Sequence, residues 1–297
     1  MPRTLLAYGL LAVCWLSWGM SYPVMRLILN EFDVWTSRAL VMVVAGFTLL
    51  GIAMARGKSL RVPREYWGDL VIAGTCNMAI FQIGMSYGVL LLSPGRTALL
   101  IYTMPIWTAI LAALVLGERV GRRHVVSLAL GLASIVILLS QDLSNLTNAP
   151  AGAAATLMAA VAFAIGTVWM KRRIWRVDLA TIVGWQVLIG TPPIIILREI
   201  LAPPLQWGSI SLGAWLGVLA MALFSNVFAY LAWFRVVSLL PAIVSGIGTL
   251  AVPAVGLLSS ALIVGESIGW REAVALACIG SALVVTMAME PRRDRRG

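Results

Sequence analysis

Ten long apolar runs, separated by short breaks, occupy most of this 297-residue chain. They lie near 4–25, 34–54, 67–89, 94–116, 124–141, 151–170, 178–199, 212–234, 241–264 and 270–289. Arg56-Gly57-Lys58, Gly117-Glu118-Arg119, Lys171-Arg172-Arg173, Pro203-Pro204 and Gly265-Glu266 punctuate them. Each run is about the 20 residues with which an α-helix crosses a bilayer. In hydrocarbon only helices and closed barrels satisfy their backbone polar groups. Unalternating runs of this length are not barrel strands of about ten residues. The expected fold is therefore an all-α integral membrane protein with ten transmembrane helices. Composition agrees: 61% of residues are hydrophobic and 11% charged, against roughly 45–50% and about 25% in soluble domains. An ordinary cytosolic protein, a disordered chain and a disulfide scaffold are excluded. Ten helices of about 20 residues leave under about ten per connection, too few for a soluble catalytic domain.

The net charge is +10. Its distribution favours a membrane surface over nucleic acid, because Lys and Arg collect in cytoplasmic loops. With the N-terminus cytoplasmic, 17 of the 22 Lys and Arg fall on that side: Arg3, the Arg56–Arg64 loop, Arg119 to Arg123, Lys171 to Arg176, Arg235 and the tail at 292–296. Four, Arg26, Arg96, Arg198 and Arg271, fall on the other, and Arg38 alone lies inside a span. Both termini are expected in the cytoplasm, with the basic tail at anionic headgroups. Reading the first run as a cleaved signal peptide would leave nine spans and break the repeat described next.

Pro105, Gly117-Glu118, Gly121 and Arg123 recur as Pro253, Gly265-Glu266, Gly269 and Arg271, all 148 positions on. Cys76-Asn77 matches Ser225-Asn226 at 149, and Gly19 matches Gly166 at 147. The spacing predicts two five-helix units, 1–145 and 146–297. Because five is odd, the second enters from the opposite face. A 5+5 inverted repeat, with a site near mid-membrane between the halves, is the architecture of alternating-access transport.

The same residues resemble the EamA-type branch of the drug/metabolite transporter superfamily over essentially the whole chain. The matching pieces are Trp18-Gly19-Met20-Ser21-Tyr22-Pro23, Arg38, Ser93-Pro94-Gly95-Arg96-Thr97-Ala98 and Pro105 through Gly117-Glu118-Arg119. Their second-half versions are Ala229-Tyr230-Leu231-Ala232-Trp233 and Pro253 through Gly265-Glu266. Their order and spacing carry the resemblance. Within the branch, the sequence is similar to YddG-like amino-acid exporters of the bacterial inner membrane. The resemblance implies a ten-helix fold around a central cavity and export of small metabolites, here neutral or aromatic amino acids.

All twelve carboxylates fall in loops or within a few residues of span ends. Intramembrane Asp or Glu is the usual proton relay, so a facilitative, gradient-driven exporter without a buried coupling carboxylate is expected. Coupling through backbone carbonyls and Na⁺ stays open. His124, the single histidine, starts a helix and reads as a surface residue. Arg38 has two readings: snorkelling or pairing with Glu31 or Asp33, or a gate or carboxylate contact.

A zwitterionic substrate needs polar groups at mid-depth and apolar surface for its side chain. The candidate cavity residues are Trp18, Asn77, Phe81, Tyr102, Trp169, Trp185, Ser225, Asn226 and Tyr230. Gln82 falls off the Asn77 face of an ideal helix. For Asn77 and Asn226, helix–helix hydrogen bonding is the competing reading. Pro105 and Pro253 are hinge candidates, with static kinks as the alternative. Trp35, Trp67, Trp175, Trp207, Trp215 and Trp270 read as an interfacial belt. Gly84, Gly88, Gly246 and Gly248 read as close helix contacts.

No phosphate loop, zincin motif, Cys pair or catalytic triad is present in the sequence. Cys14, Cys76 and Cys278 lie in apolar runs at no metal spacing. Neither a cofactor, a metal nor a nucleic-acid partner is expected. The partners are a small-molecule substrate and the bilayer, and a monomer suffices because one chain holds both halves of the site. Two alternatives remain: export of drugs or other metabolites by the same fold, or a lipid flippase or membrane-embedded transferase.

Overall fold

The computed structural model describes residues 3–92, 94–140, 149–204, 208, 210–264 and 268–287. Ser93, Asp142, Trp207, Gly265, Glu266 and the basic tail lie outside the described residues. Among those described, regular structure is helical throughout. Among the described residues, nine helices are long and apolar enough to cross a membrane. They are α1 (Thr4–Ile28), α2 (Val34–Ala55), α3 (Arg64–Leu91), α4 (Arg96–Leu116) and α5 (Arg122–Leu139), then α6 (Pro150–Arg172), α7 (Leu179–Leu201), α8 (Leu212–Leu239) and α9 (Ala242–Ser259). A further helix, α10 (Trp270–Met287), packs against α5. Each of the ten apolar runs falls on one of these helices.

Local chemistry sets the ends. Asp33 caps α2 by accepting from Trp35 N and Thr36 N, both at 2.9 Å. Asp178 caps α7 from Ala180 N at 3.0 Å, and Ser211 caps α8 from Ala214 N at 3.2 Å. Such caps satisfy N–H groups that no helical carbonyl reaches. At the other end of α4, Gly117 closes the helix at φ 68°, a left-handed conformation that favours glycine.

Packing runs mainly across the two sequence halves: α1 on α8, α3 on α6, α2 on α7, α4 on α9 and α5 on α10. Exchanging the halves maps this set onto itself. The α2–α7 contact is reciprocal at the level of side chains. A Cβ on Gly46 would lie 2.6 Å from Leu188 Cδ2, and one on Gly184 would lie 2.7 Å from Leu50 Cδ2. Small residues let membrane helices approach this closely. Gly84 does the same for α3 and α6, where a Cβ would fall 2.4 Å from the Ala155 carbonyl oxygen.

Regular winding fails at five places. α1 breaks at Met20, α4 at Tyr102-Thr103 and α9 at Thr249-Leu250. α3 and α8 each contain a π-helical stretch, Thr75–Ile80 and Met221–Phe228. The irregularities in α3 and α8, and in α4 and α9, fall at corresponding positions of the two halves. Pro23, Pro105 and Pro253 each sit in the first turn of the helix that resumes after a break. A missing N–H costs nothing there, so these prolines start helical segments instead of kinking them. Irregular backbone at membrane depth persists only where protein buries it or it lines a cavity. Much of it here faces one space.

Candidate functional site

That space is a cavity of about 70 Å³. α1 contributes Trp18, Ser21 and Met25, and α2 contributes Arg38. α3 brings Phe81, Gln82 and Met85; α4 brings Ile101, Tyr102 and Met104 at its break. From the second half come Phe163 on α6 and Met221, Ser225, Asn226 and Tyr230 on α8.

The π-helical stretch of α8 explains its polar contribution. Widening the turn frees carbonyls from their ordinary helical donors. Asn226 Nδ2 donates to Met221 O at 3.1 Å, and Trp18 Nε1 donates to Ser225 O at 3.0 Å. Ser225 Oγ returns a bond to Ser17 O at 3.1 Å. α1 and α8 are thereby stitched together beside the cavity, with Trp18 fixed by its polar edge and its ring left for packing.

An aromatic wall grows from that ring. Trp18 meets Tyr230 edge-on at 5.9 Å between centroids and Trp233 at 5.8 Å. Phe163 lies 5.0 Å from Phe81 and 6.4 Å from Trp18. Such pairs are stabilising beyond the area they bury and hold the rings in fixed orientations.

Arg38 is 6% exposed and carries the only charge among the described lining residues. Its Nη2 rests 3.2 Å from Met25 Sδ. Arg38, Met25 and Met221 also line a second, smaller space beside Ile28, Leu29 and Val34. Arg38 therefore borders both spaces, the smaller of which lies beside the α1–α2 connection. Two carboxylates flank the α1–α2 connection. Asp33 caps α2, and Glu31 accepts from Ser211 N and Oγ, both at 2.6 Å. Those two donors hold the Glu31 carboxyl below its ordinary range.

Trp18, Phe81, Tyr102, Ser225, Asn226 and Tyr230 are thus brought together, with Arg38 beside them. Asn77, Trp169 and Trp185 stand elsewhere, each with a partner that explains it. Asn77 is fully buried and donates to Gln186 Oε1 at 3.1 Å. It occupies the space of the missing side chain at Gly166, where a Cβ would fall 2.3 Å from its Oδ1. The Asn77–Gln186 bond joins α3 to α7. Trp169 donates to Asp69 Oδ1 at 2.9 Å and lies under the Arg172 guanidinium. Trp185 donates to Leu60 O at 3.0 Å and packs on Trp67, tying down the α2–α3 connection.

The matching asparagines are therefore not equivalent: one joins helices, and the other reaches the cavity. Trp35, expected at an interface, is 3% exposed and edge-on to Tyr87. Gln82 and Phe163 were not among the expected cavity residues. The π-helical stretch just before Phe81 changes the helical phase and brings Gln82 onto the cavity side. Phe163 carries no polar signal; its position one turn before Gly166 is the only hint. Among the described residues, no three His, Cys, Asp or Glu side chains gather as metal ligands.

Comparison with known proteins agrees with this architecture. A crystal structure covering 99% of both chains superposes with a TM-score of 0.80 at 21% identity, which speaks for the fold alone. The transporter YoaV of Bacillus subtilis is 23% identical over 84% of this chain and 85% of its own. The inner membrane transporter YedA of Escherichia coli is 24% identical over 94% and 89%. The aromatic amino acid exporter YddG of Ancylobacter novellus is 28% identical over 84% and 86%. The model of the EamA-like transporter family matches twice, over residues 5–140 and 150–288. This multi-pass membrane protein belongs to the EamA-like transporter family.

Proposed function

We propose that the chain exports neutral and aromatic amino acids, and similar small metabolites, across a bacterial inner membrane by alternating access. Ten spans form two inverted copies, 1–145 and 146–297, with both termini cytoplasmic, and a monomer suffices. The observation that carries this reading is the cavity itself. It lies between the halves, joins an aromatic wall to Ser225 and Asn226, and has no carboxylate among its described lining residues. Half-exchange symmetry in the packing and the double family match support the repeat. Similarity to an aromatic amino acid exporter supports the substrate class.

Because none of the described lining residues is an Asp or Glu that could offer a proton site, the movement is facilitative and runs down the substrate gradient. The test is counterflow of labelled threonine, methionine and phenylalanine in proteoliposomes, with and without an uncoupler. An overshoot for at least one of them, unchanged by the uncoupler, is expected. No amino-acid flux, with binding of a lipid or dye instead, overturns the substrate. Strict dependence on a pH gradient overturns the facilitative mechanism.

A further inference from the structure

The chemistry of the cavity points to the part of the substrate that is read. We propose that Arg38 binds the substrate's carboxylate while Gln82 accepts from its ammonium group, so that the cavity selects zwitterions over amino-acid amides, which lack the carboxylate, and over carboxylates that lack the ammonium group. This inference rests on the exporter reading above and narrows it.

A guanidinium 6% exposed inside a span is expensive to bury. Such residues recur where a substrate or ion passes. Arg38 lines both the cavity and the smaller space beside it. Its planar fork matches a carboxylate with two parallel charge-assisted hydrogen bonds. The same charge repels a cationic ligand in a low-dielectric space.

Gln82 supplies the second, independent observation. It lines the same cavity, is 4% exposed, and its Oε1 has no hydrogen-bond partner. A buried acceptor left without a donor is destabilising. An ammonium group supplies that donor, and the neighbouring rings of Phe81, Phe163 and Trp18 provide π-faces for the same cation. Arg38 and Gln82 project from α2 and α3, whereas the facing aromatic and polar groups of Phe163, Ser225 and Tyr230 come from the second half. A zwitterion held this way bridges the halves.

The experiment compares phenylalanine, phenylalaninamide and 3-phenylpropionate as counterflow substrates and as thermal stabilisers of the purified full chain. Wild-type protein is expected to favour phenylalanine over either analogue by about tenfold or more, each analogue lacking one charge-assisted contact. Arg38→Gln is expected to abolish the preference for phenylalanine over its amide, and Arg38→Lys to restore it in part. Gln82→Leu is expected to narrow the gap between phenylalanine and 3-phenylpropionate. Equal handling of phenylalanine and its amide by wild type overturns the inference while leaving the exporter reading intact. The wild-type comparison decides this even if a variant fails to fold. No flux and no stabilisation by any of the three overturns both.

Discussion

The carboxylate of Glu118, just beyond the end of α4, accepts hydrogen bonds from the backbone N–H groups of Ala242 at 2.7 Å and Ile243 at 3.0 Å. A side chain from the first half thus caps the first turn of α9 in the second. Lys171 Nζ, on α6, donates to Val237 O and Leu240 O, both at 2.7 Å. The α8–α9 connection at Leu240-Pro241 is held on both sides, its helix C-terminus by a cation and its helix N-terminus by an anion, as the helix dipoles favour. Removing a capping oxygen typically costs about 1 kcal/mol. Glu118→Ala is expected to lower the melting temperature of the detergent-solubilised protein, with Glu118→Gln intermediate. Unchanged melting in both variants would remove the cap from the account.

A second tie between the halves is pH-sensitive. Ser211 donates twice to Glu31, and this lowers the Glu31 pKa below its ordinary 4.5. A group whose pKa falls on folding stabilises the fold above its unfolded value and loses that effect as pH drops through the folded one. The melting-temperature difference between wild type and Glu31→Gln should be fully present above about pH 4.5 and shrink below it. A difference that grows on acidification contradicts the assignment. Ser211→Ala should weaken the same pH dependence.

Gly166 is a position where one methyl group matters. A Cβ there would fall 2.3 Å from Asn77 Oδ1 and 2.4 Å from its Cγ, inside a contact whose amide is bonded to Gln186. Overpacking of this kind costs about 1–3 kcal/mol. Gly166→Ala should destabilise the protein measurably in thermal unfolding, whereas Gly9→Ala, with nothing within 4 Å, should not.

Tryptophans separate cavity from scaffold. Trp18→Phe removes the bond to Ser225 O and reshapes the wall, so it should change the KM for counterflow. Trp169→Phe and Trp185→Phe delete bonds to Asp69 and Leu60. They should lower stability and leave KM within about twofold, since neither ring lines the cavity. A KM change in Trp169→Phe equal to that in Trp18→Phe would place the site elsewhere.

The helices were legible in the sequence because lipid leaves a long apolar run few structural alternatives, so spans and helices coincide from Thr4–Ile28 onward. Several cavity-lining residues were legible for a similar reason: Ser225 and Asn226 are conspicuous polar groups at mid-span. Periodicity failed at α3. It assumes one constant helical phase, and the stretch Thr75–Ile80 breaks it. Asn77 bonds to Gln186 and packs on Gly166, and Gln82, five residues on, meets the cavity. Trp169 and Trp185 were ambiguous because an indole suits a ligand wall or a structural N–H bond equally, and Asp69 and Leu60 O are recognisable as partners only in three dimensions. Phe163 had only its place one turn before Gly166 to distinguish it from any buried phenylalanine.

Alternating access makes its most direct claim about which side can reach the cavity. Met85 lines it. With Cys14, Cys76 and Cys278 replaced by serine or alanine, Met85→Cys leaves a single thiol to be challenged with a membrane-impermeant maleimide from either face of oriented vesicles. Labelling is expected from both faces, slowed by phenylalanine on each. A thiol reached from one face alone, under every substrate condition, contradicts the account.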